Sequence, residues 1–162
     1  MMMTGGEGCL FYDPHVPKHC PKQSDAEYRT EVSLYAVLSS PMMVGTDIRN
    51  MTAIMNELLL NADMLQINQD EKAPNGDKLA STCGGTDGWA RHMSDGRVAV
   101  ALPNLGKAPA TLKVCGSDLG VTTPSSWKDV WGKKVHEPSA DFSVVGVGSH
   151  DTVLLIATPT TK

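Results

Sequence analysis

The hydrophobic residues of this chain change their spacing once along its length, and this change restricts most strongly what the chain can fold into. Between Ser24 and about Asp70 the apolar side chains recur at the spacing of amphipathic helices. Beyond Trp89 they alternate with polar side chains, as they do in strands. The connector between the two regions, residues 71–78, is polar and contains proline and glycine. The sequence therefore predicts a mostly helical first part followed by a small all-β domain.

The first helix has a start signal and a stop signal. Ser24 followed by Glu27 fits a capping box, in which the serine oxygen accepts a backbone N–H and the glutamate reaches back to the cap. Pro41 cannot continue a helix and disfavours helical dihedral angles in the residue before it. We therefore expect the helix to end near Ser39.

The residues after Pro41 predict a strand, a loop and a second helix. The short apolar run 42–44 is typical of a buried parallel strand, and residues 52–61 again have a helical apolar spacing. Asp47 follows the predicted strand, where the polar residues of a barrel usually face the active site. The alternative for Asp47 is a turn or an ion pair with Arg49. Helix, strand and helix together form a unit of an α/β fold.

The second part is predicted to be antiparallel. Residues 89–93 and 97–102 are separated by Ser94, Asp95 and Gly96, a tight turn signal, so they predict a hairpin. Clusters of Gly, Pro, Ser and Asp then separate further short strands at spacings typical of a β-sandwich. These further strands are predicted over 111–115, 127–131, 142–147 and 152–157.

The composition excludes several classes of partner. The chain has 162 residues, of which 41% are hydrophobic and 20% are charged, and its formal net charge is -4. This is the profile of a globular protein without a basic face for nucleic acid. No apolar run approaches the length that crosses a bilayer, so we expect no membrane partner. The sequence does not predict the oligomeric state, and it contains no motif that requires a cofactor.

The cysteines and one sequon favour an oxidising compartment. Cys9, Cys20, Cys83 and Cys115 allow three pairings if all four are oxidised. Asn50 begins the sequon Asn-Met-Thr, so it is a candidate glycosylation site in a secreted chain.

The cysteines near the N-terminus have two interpretations. Cys9, His15, His19 and Cys20 are all good zinc ligands, and the two histidines have a spacing found in zinc sites. The cysteines, however, do not form a C-x2-C pair. A disulfide between Cys9 and Cys20 that closes a surface loop is the interpretation we prefer, and we expect no metal. Cys83 and Cys115 are then the second predicted disulfide pair.

The tryptophans and one glycine pair are further candidates for sites. Trp89, Trp127 and Trp131 could stack on sugar rings, although tryptophan on a sandwich strand more often belongs to the core. Gly146 and Gly148 lack the third glycine of a dinucleotide loop and precede no helix, which favours a turn between strands.

Several stretches resemble one enzyme family. EYRTEVSLYAVLSSPMMVGTDIRNMT (27–52) and LLLNADMLQINQDE (58–71) resemble the C-terminal barrel region of the α-galactosidases, or melibiases, of glycoside hydrolase family 27. WARHMSDGRVAVALPNLG (89–106), DVWGKKV (129–135) and VGVGSHDTVLLIATP (145–159) resemble the β domain that follows this barrel.

The resemblance implies a fold and a division of the chain. The family has a (β/α)8 barrel followed by an antiparallel β domain, so residues 1–72 would be the last part of the barrel: the end of strand 7, helix 7, strand 8 and helix 8. Residues 42–44 would be strand 8. Residues 73–162 would then form an antiparallel β-sandwich. Such a barrel needs about 250 residues, so only its last part can be present here.

The resemblance also implies an activity. The family hydrolyses terminal α-galactosyl groups with retention, using two aspartates whose carboxyls stand about 5 Å apart. Those aspartates lie on barrel strands that would precede Met1, so no catalytic residue is expected in this chain and we predict it to be inactive alone. MMMTGG (1–6) resembles the end of strand 7, which makes Met1 a substrate-binding candidate beside Asp47.

The chain has two alternative candidate functions and an expected location. The chain could be a non-catalytic carbohydrate-binding or interaction module, or part of a related α-N-acetylgalactosaminidase. The family implies an extracellular or lysosomal protein, whose signal peptide would precede Met1.

Overall fold

The computed structural model describes residues 23–45, 48–121 and 123–160, and all structural statements below concern these residues. Three α-helices lie before eight strands, with short 3-10 helices at Ile48–Asn50 and Gly116–Leu119. The helices are α1 Asp25–Val37, α2 Ala53–Leu59 and α3 Ala62–Asn68. The strands are β1 Asp77–Lys78, β2 Trp89–His92, β3 Val98–Pro103, β4 Ala110–Cys115, β5 Pro124–Asp129, β6 Lys134–His136, β7 Asp141–Val147 and β8 Thr152–Pro159.

Helix α1 begins at the predicted capping box. The Ser24 hydroxyl accepts a hydrogen bond from the Glu27 backbone N–H at 3.3 Å, and a Glu27 carboxylate oxygen accepts one from the Ser24 N–H at 2.8 Å. The helix ends at Val37, and Ser39 adopts a positive φ of 55° before Pro41. The predicted start and end of this helix are therefore confirmed.

We predict that Ser24→Ala lowers the free energy of unfolding by about 1 kcal/mol, because the N–H of Glu27 loses its acceptor. Urea denaturation monitored by circular dichroism would measure this loss. Ser81→Ala is the matched control, since within the described residues the Ser81 hydroxyl makes no hydrogen bond and should change stability by much less. Equal effects of the two substitutions would contradict the capping role.

The structure differs from the sequence prediction in two places after Pro41. The apolar run 42–44 forms no strand: Val44 is a single bridge residue, and Met43 is 64% exposed. Within the described residues no neighbouring strand pairs with this run, so hydrophobicity alone cannot bury it. The predicted helix 52–61 is present as α2, but a further helix that was not predicted follows it, because the Asn61 side chain accepts the N–H of Met64 at 3.0 Å and starts α3.

The predicted hairpin and strands form an antiparallel sandwich. β2 pairs with β3, and the larger sheet has the order β1-β2-β3-β8-β5-β6. β4 and β7 pair with each other to form the second sheet. The prediction of an antiparallel β-sandwich is confirmed. The sequence missed β1 and β6, which are too short to show a period of alternation.

The two central strands of the larger sheet are buried on both faces. On β3, Val100 and Leu102 face the second sheet, whereas Ala99 and Ala101 face the helices. β8 repeats this division with Leu155 on one side and Leu154 and Ile156 on the other. The molecule therefore has three layers: helices, a six-stranded sheet and a two-stranded sheet.

The helical layer shares its core with the sheet. Val32, Ala36 and Leu58 are fully buried and belong to one cluster with Leu154 and Ile156 of β8. Burial of an aliphatic side chain contributes about 1.5–3 kcal/mol, so this contact fixes α1 on the sheet. No described helix is long and apolar enough to cross a membrane.

Candidate functional site

The predicted substrate-binding residues lie outside the described part of the chain. This applies to Met1 and Asp47, so both remain predictions. It also applies to the two cysteines and two histidines for which a disulfide or a zinc site was considered, Cys9, His15, His19 and Cys20.

The segment around the sequon is described in its backbone. Asn50 ends the 3-10 helix Ile48–Asn50, although its side chain is not among those described. Thr52, the third residue of the sequon, is exposed and caps α2, since its hydroxyl accepts the Met55 N–H at 3.4 Å. Ile48 is 69% exposed. The sequon therefore lies next to a surface segment, and glycosylation of Asn50 remains a prediction.

The predicted pairing of the other two cysteines is confirmed. Cys83 and Cys115 form a disulfide whose Cα atoms are 5.8 Å apart. One carboxylate oxygen of Asp118 accepts the backbone N–H groups of both cysteines at 2.9 Å. These three residues are the one cluster of potential metal ligands that the described residues contain. Because metal coordination requires free thiolates, the disulfide makes this a structural link and not a metal site.

The three tryptophans have different environments. Trp127 is fully buried and its indole N–H donates to the Ser139 carbonyl at 3.0 Å, so the sugar-stacking interpretation is wrong for this residue. Trp89 is half-buried, with the Lys78 ammonium 5.4 Å from its ring centroid. Trp131 is half-buried, and its N–H donates to the Ser33 hydroxyl at 2.9 Å.

Arg91 is an important residue that the sequence interpretation missed. Its side chain is buried on β2, and its guanidinium donates to five backbone carbonyls near the end of α3 and in the following connector. Burial lowers the pKa of this guanidinium, and the charge of Asp70 partly opposes the change. The acceptors are the carbonyls of Ile67, Asn68, Asp70, Ala73 and Pro74.

A pattern in the sequence could have indicated this role. Trp89, Arg91 and Met93 are two residues apart, and both apolar neighbours pack toward the helices. A charged residue between two inward-facing residues must therefore find polar partners in the interior. The last carbonyls of a helix are such partners, since they carry partial negative charge and lack N–H donors within the helix.

A cleft lies where α1 meets the ends of β5, β7 and β8. Its volume is about 240 Å³, and its walls include Arg29, Asp129, Trp131 and Asp151. Arg29 donates from one nitrogen to both carboxylate oxygens of Asp151, at 2.7 and 2.8 Å. Gly148 directly follows β7 and also borders the cleft, so the glycine pair belongs to a strand and its end.

Because of four carboxyl groups, the stability of the fold is expected to decrease at acid pH. Hydrogen bonds lower the pKa of Glu27 through the Ser24 N–H and that of Asp70 through the Ser94 N–H. Side-chain hydrogen bonds from basic residues lower the pKa of the other two groups, from Arg97 to Asp95 and from Lys113 to Asp141. The folded protein therefore binds these protons less readily than the unfolded chain does.

We predict that stability is retained above the ordinary carboxyl pKa values, near pH 4, and is lost as the pH falls through the lower folded values. Urea midpoints measured between neutral pH and about pH 3 would show the loss. Asp70→Asn should make this dependence shallower, because one of the four groups no longer titrates. A variant as acid-sensitive as the unmodified chain would contradict the contribution of Asp70.

The fold defines a class of protein: an antiparallel β-sandwich with a helical layer against its larger sheet. The family described as "Alpha galactosidase C-terminal beta sandwich domain" matches residues 83–157, and the family described as "Alpha galactosidase A" matches residues 22–70. An α-galactosidase of Coffea arabica is 34% identical over 135 residues, which are 82% of this chain and 35% of that protein. One of Cyamopsis tetragonoloba is 33% identical over 135 residues, 82% of this chain and 33% of that protein.

Solved structures show the same fold. A family 27 β-L-arabinopyranosidase from Geobacillus stearothermophilus has a TM-score of 0.82 at 21% identity, over 99% of this chain and 37% of that one. α-Galactosidase I from Mortierella vinacea has a TM-score of 0.73 at 22% identity, over 85% of this chain and 38% of that one. The chain belongs to the α-galactosidase family, glycoside hydrolase family 27. It spans about a third of the length of the curated relatives it matches.

Proposed function

We propose that this chain contributes the end of the barrel and the β domain to a retaining α-galactosidase. Residues 1–72 would complete the (β/α)8 barrel, and residues 73–162 would form the β domain behind it. The observation that carries the proposal is the order of the two family matches, 22–70 and then 83–157, which are adjacent parts of one enzyme family. The substrate would be a terminal α-galactoside.

The exposed apolar side chains of the first part support this proposal. Met43, Val44, Ile48 and Leu60 are 64%, 39%, 69% and 64% exposed, respectively. All four lie within the region that matches the family's barrel part. Apolar groups in such number are normally covered by protein, and the remaining strands and helices of a barrel would cover them.

The resemblance assigns the chemistry to residues outside this chain. One aspartate attacks the anomeric carbon, and the other protonates the leaving oxygen and then activates water. Within this chain, Met1 would line the sugar pocket at the end of strand 7. Asp47 would face the same pocket from the loop after strand 8. No cofactor takes part in this reaction.

A chimera tests the proposal. The chain alone should not hydrolyse p-nitrophenyl α-D-galactopyranoside, whereas the same chain joined behind the unmatched N-terminal part of the Coffea arabica enzyme should do so. Asp47→Asn in the chimera should lower turnover at least about tenfold, because it removes the negative charge that strengthens a hydrogen bond from a substrate hydroxyl. Asp25→Asn, on the exposed first turn of α1, is the matched control and should leave turnover unchanged. Turnover by the chain alone, or a folded but inactive chimera, would contradict the proposal.

We also propose an extracellular or lysosomal location, which the Cys83–Cys115 disulfide supports because such bonds persist in oxidising compartments. In the secreted protein, Asn50 would carry a glycan and Cys9 would pair with Cys20. Mass spectrometry before and after enzymatic deglycosylation would detect the glycan, and a non-reduced peptide map would detect the second disulfide. Bound zinc, with Cys9 and Cys20 as free thiols, would contradict the pairing.

A further inference from the structure

We propose that the cleft between α1 and the ends of β5, β7 and β8 binds a single hexopyranose ring without cleaving it. This proposal does not rest on the hydrolysis proposed above. A volume of about 240 Å³ lies just below the usual range of small-molecule pockets, which suits one ring and not a chain of rings.

The aromatic wall of the cleft is held in place before any ligand arrives. The Trp131 N–H donates to the Ser33 hydroxyl at 2.9 Å, and this fully buried hydroxyl donates to the Arg29 carbonyl at 2.7 Å. Trp131 is therefore linked through Ser33 to the backbone of α1. An indole fixed in this way offers an apolar face to the C–H groups of a sugar ring without losing further conformational entropy.

The polar wall of the cleft can accept hydrogen bonds from the hydroxyl groups of a sugar. One oxygen of Asp129 accepts the Gly132 N–H at 2.9 Å, while its second oxygen, within the described residues, accepts no hydrogen bond. The carboxylate of Asp129 therefore has free acceptor capacity at the cleft. A sugar hydroxyl that donates to it would form a charge-assisted hydrogen bond.

The charges of the cleft select against anions. Arg29, Asp129 and Asp151 are its charged residues, and they add one positive and two negative charges. Since Arg29 is paired with Asp151, the remaining charge is the negative carboxylate of Asp129. A phosphate, sulfate or carboxylate ligand would be repelled, whereas a neutral ligand with many hydroxyl donors is favoured.

The remaining wall leaves space for such a ligand. A Cβ atom at Gly146 or Gly148 would meet nothing within 4 Å. Val145 directly precedes Gly146 and is 80% exposed, which provides a second apolar contact beside the indole. An apolar surface opposite a few polar acceptors is the arrangement that fits a ring with one C–H face and several hydroxyl groups.

Nuclear magnetic resonance of the full chain with methyl α-D-galactopyranoside tests this proposal. We expect the indole N–H signal of Trp131 to shift with a Kd on the order of 1 mM. The signals of Trp89 and Trp127 serve as internal controls and should not move, because neither residue borders the cleft. Galactitol, which has the hydroxyls but no ring, should bind at least about tenfold more weakly if the flat C–H face is needed.

Two variants locate the binding. Asp129→Asn keeps the acceptor for the Gly132 N–H but removes the charge, and it should weaken binding about tenfold. Gly148→Leu should abolish binding by filling the cleft, while the chain still folds because its position has open space and no positive φ. Asp25→Asn removes the same charge on α1 outside the cleft and should change nothing.

The proposal would be overturned by a Trp131 signal that does not move, by equal binding of galactitol, or by unchanged binding to Gly148→Leu. Each of these results is independent of hydrolysis, because the measurement follows binding to the chain alone and detects no turnover. An inactive chimera would in turn leave this binding unaffected.

Discussion

Arg91→Met should lower the free energy of unfolding by about 4 kcal/mol, the largest loss that we expect from a single side chain. The methionine fills a similar volume but donates no hydrogen bond. The carbonyls at the end of α3 and in the connector would then lose their donor while remaining against the buried surface of β2. Guanidinium chloride denaturation, followed by tryptophan fluorescence, would measure the loss.

A second arginine, which directly precedes β3, provides the control for this result. Arg97 pairs with Asp95 at 2.6 Å on a more exposed surface, so Arg97→Met should cost no more than about 1 kcal/mol. Arg91→Lys should recover only a small part of the loss, because one ammonium group cannot reach carbonyls that a planar guanidinium bridges. A loss at Arg91 no larger than that at Arg97 would show that these buried hydrogen bonds contribute little.

Removal of the disulfide is the second large effect that we expect. The double substitution Cys83→Ser and Cys115→Ser should lower the free energy of unfolding by about 3.5 kcal/mol. The bond joins residues separated by 32 positions, and its loss frees this loop in the unfolded chain. Thermal unfolding followed by circular dichroism would record a lower midpoint.

The single substitution Cys83→Ser tests whether the effect comes from the bond. It breaks the same disulfide, so it should lose about as much stability as the double substitution. Asp118→Ala is a useful companion, because it removes the acceptor of both cysteine N–H groups and leaves the covalent bond in place. Its loss should be smaller, about 1–3 kcal/mol. A fully stable double variant would contradict the role of the disulfide.

Much of the fold was predictable because its signals are local. The box of Ser24 and Glu27 starts α1, and the turn of Ser94, Asp95 and Gly96 places β2 beside β3. A strand's alternation of apolar and polar residues is set by the backbone itself, so the strands could be placed to within a few residues. The order β1-β2-β3-β8-β5-β6 could not be predicted in this way, because pairing of β3 with β8 joins distant parts of the chain.

The candidate site was only partly predictable. The tryptophans were recognised as residues that could contact sugar, but their spacing could not tell Trp127, which is fully buried, from Trp131, which lines a cleft. Asp129 is close to Trp131 in the chain, but the ion pair that lines the same cleft comes from other segments: Arg29 precedes Trp131 by about a hundred residues, and Asp151 follows by twenty. No local pattern connects residues at such distances.

The sequence by itself determined the helical start, the antiparallel hairpin and the family, because each depends on residues close together in the chain. The tertiary structure decided which side chains are buried and which polar groups find partners. The run 42–44 has the composition of a buried strand, yet Met43 and Val44 are exposed and only Met42 packs, in part, against the helical core. Arg91 is a residue type that usually lies on the surface. It is buried here because the carbonyls that end α3 pack against it and accept its hydrogen bonds. Burial depends on what the rest of the fold brings alongside a residue, and this information is not local.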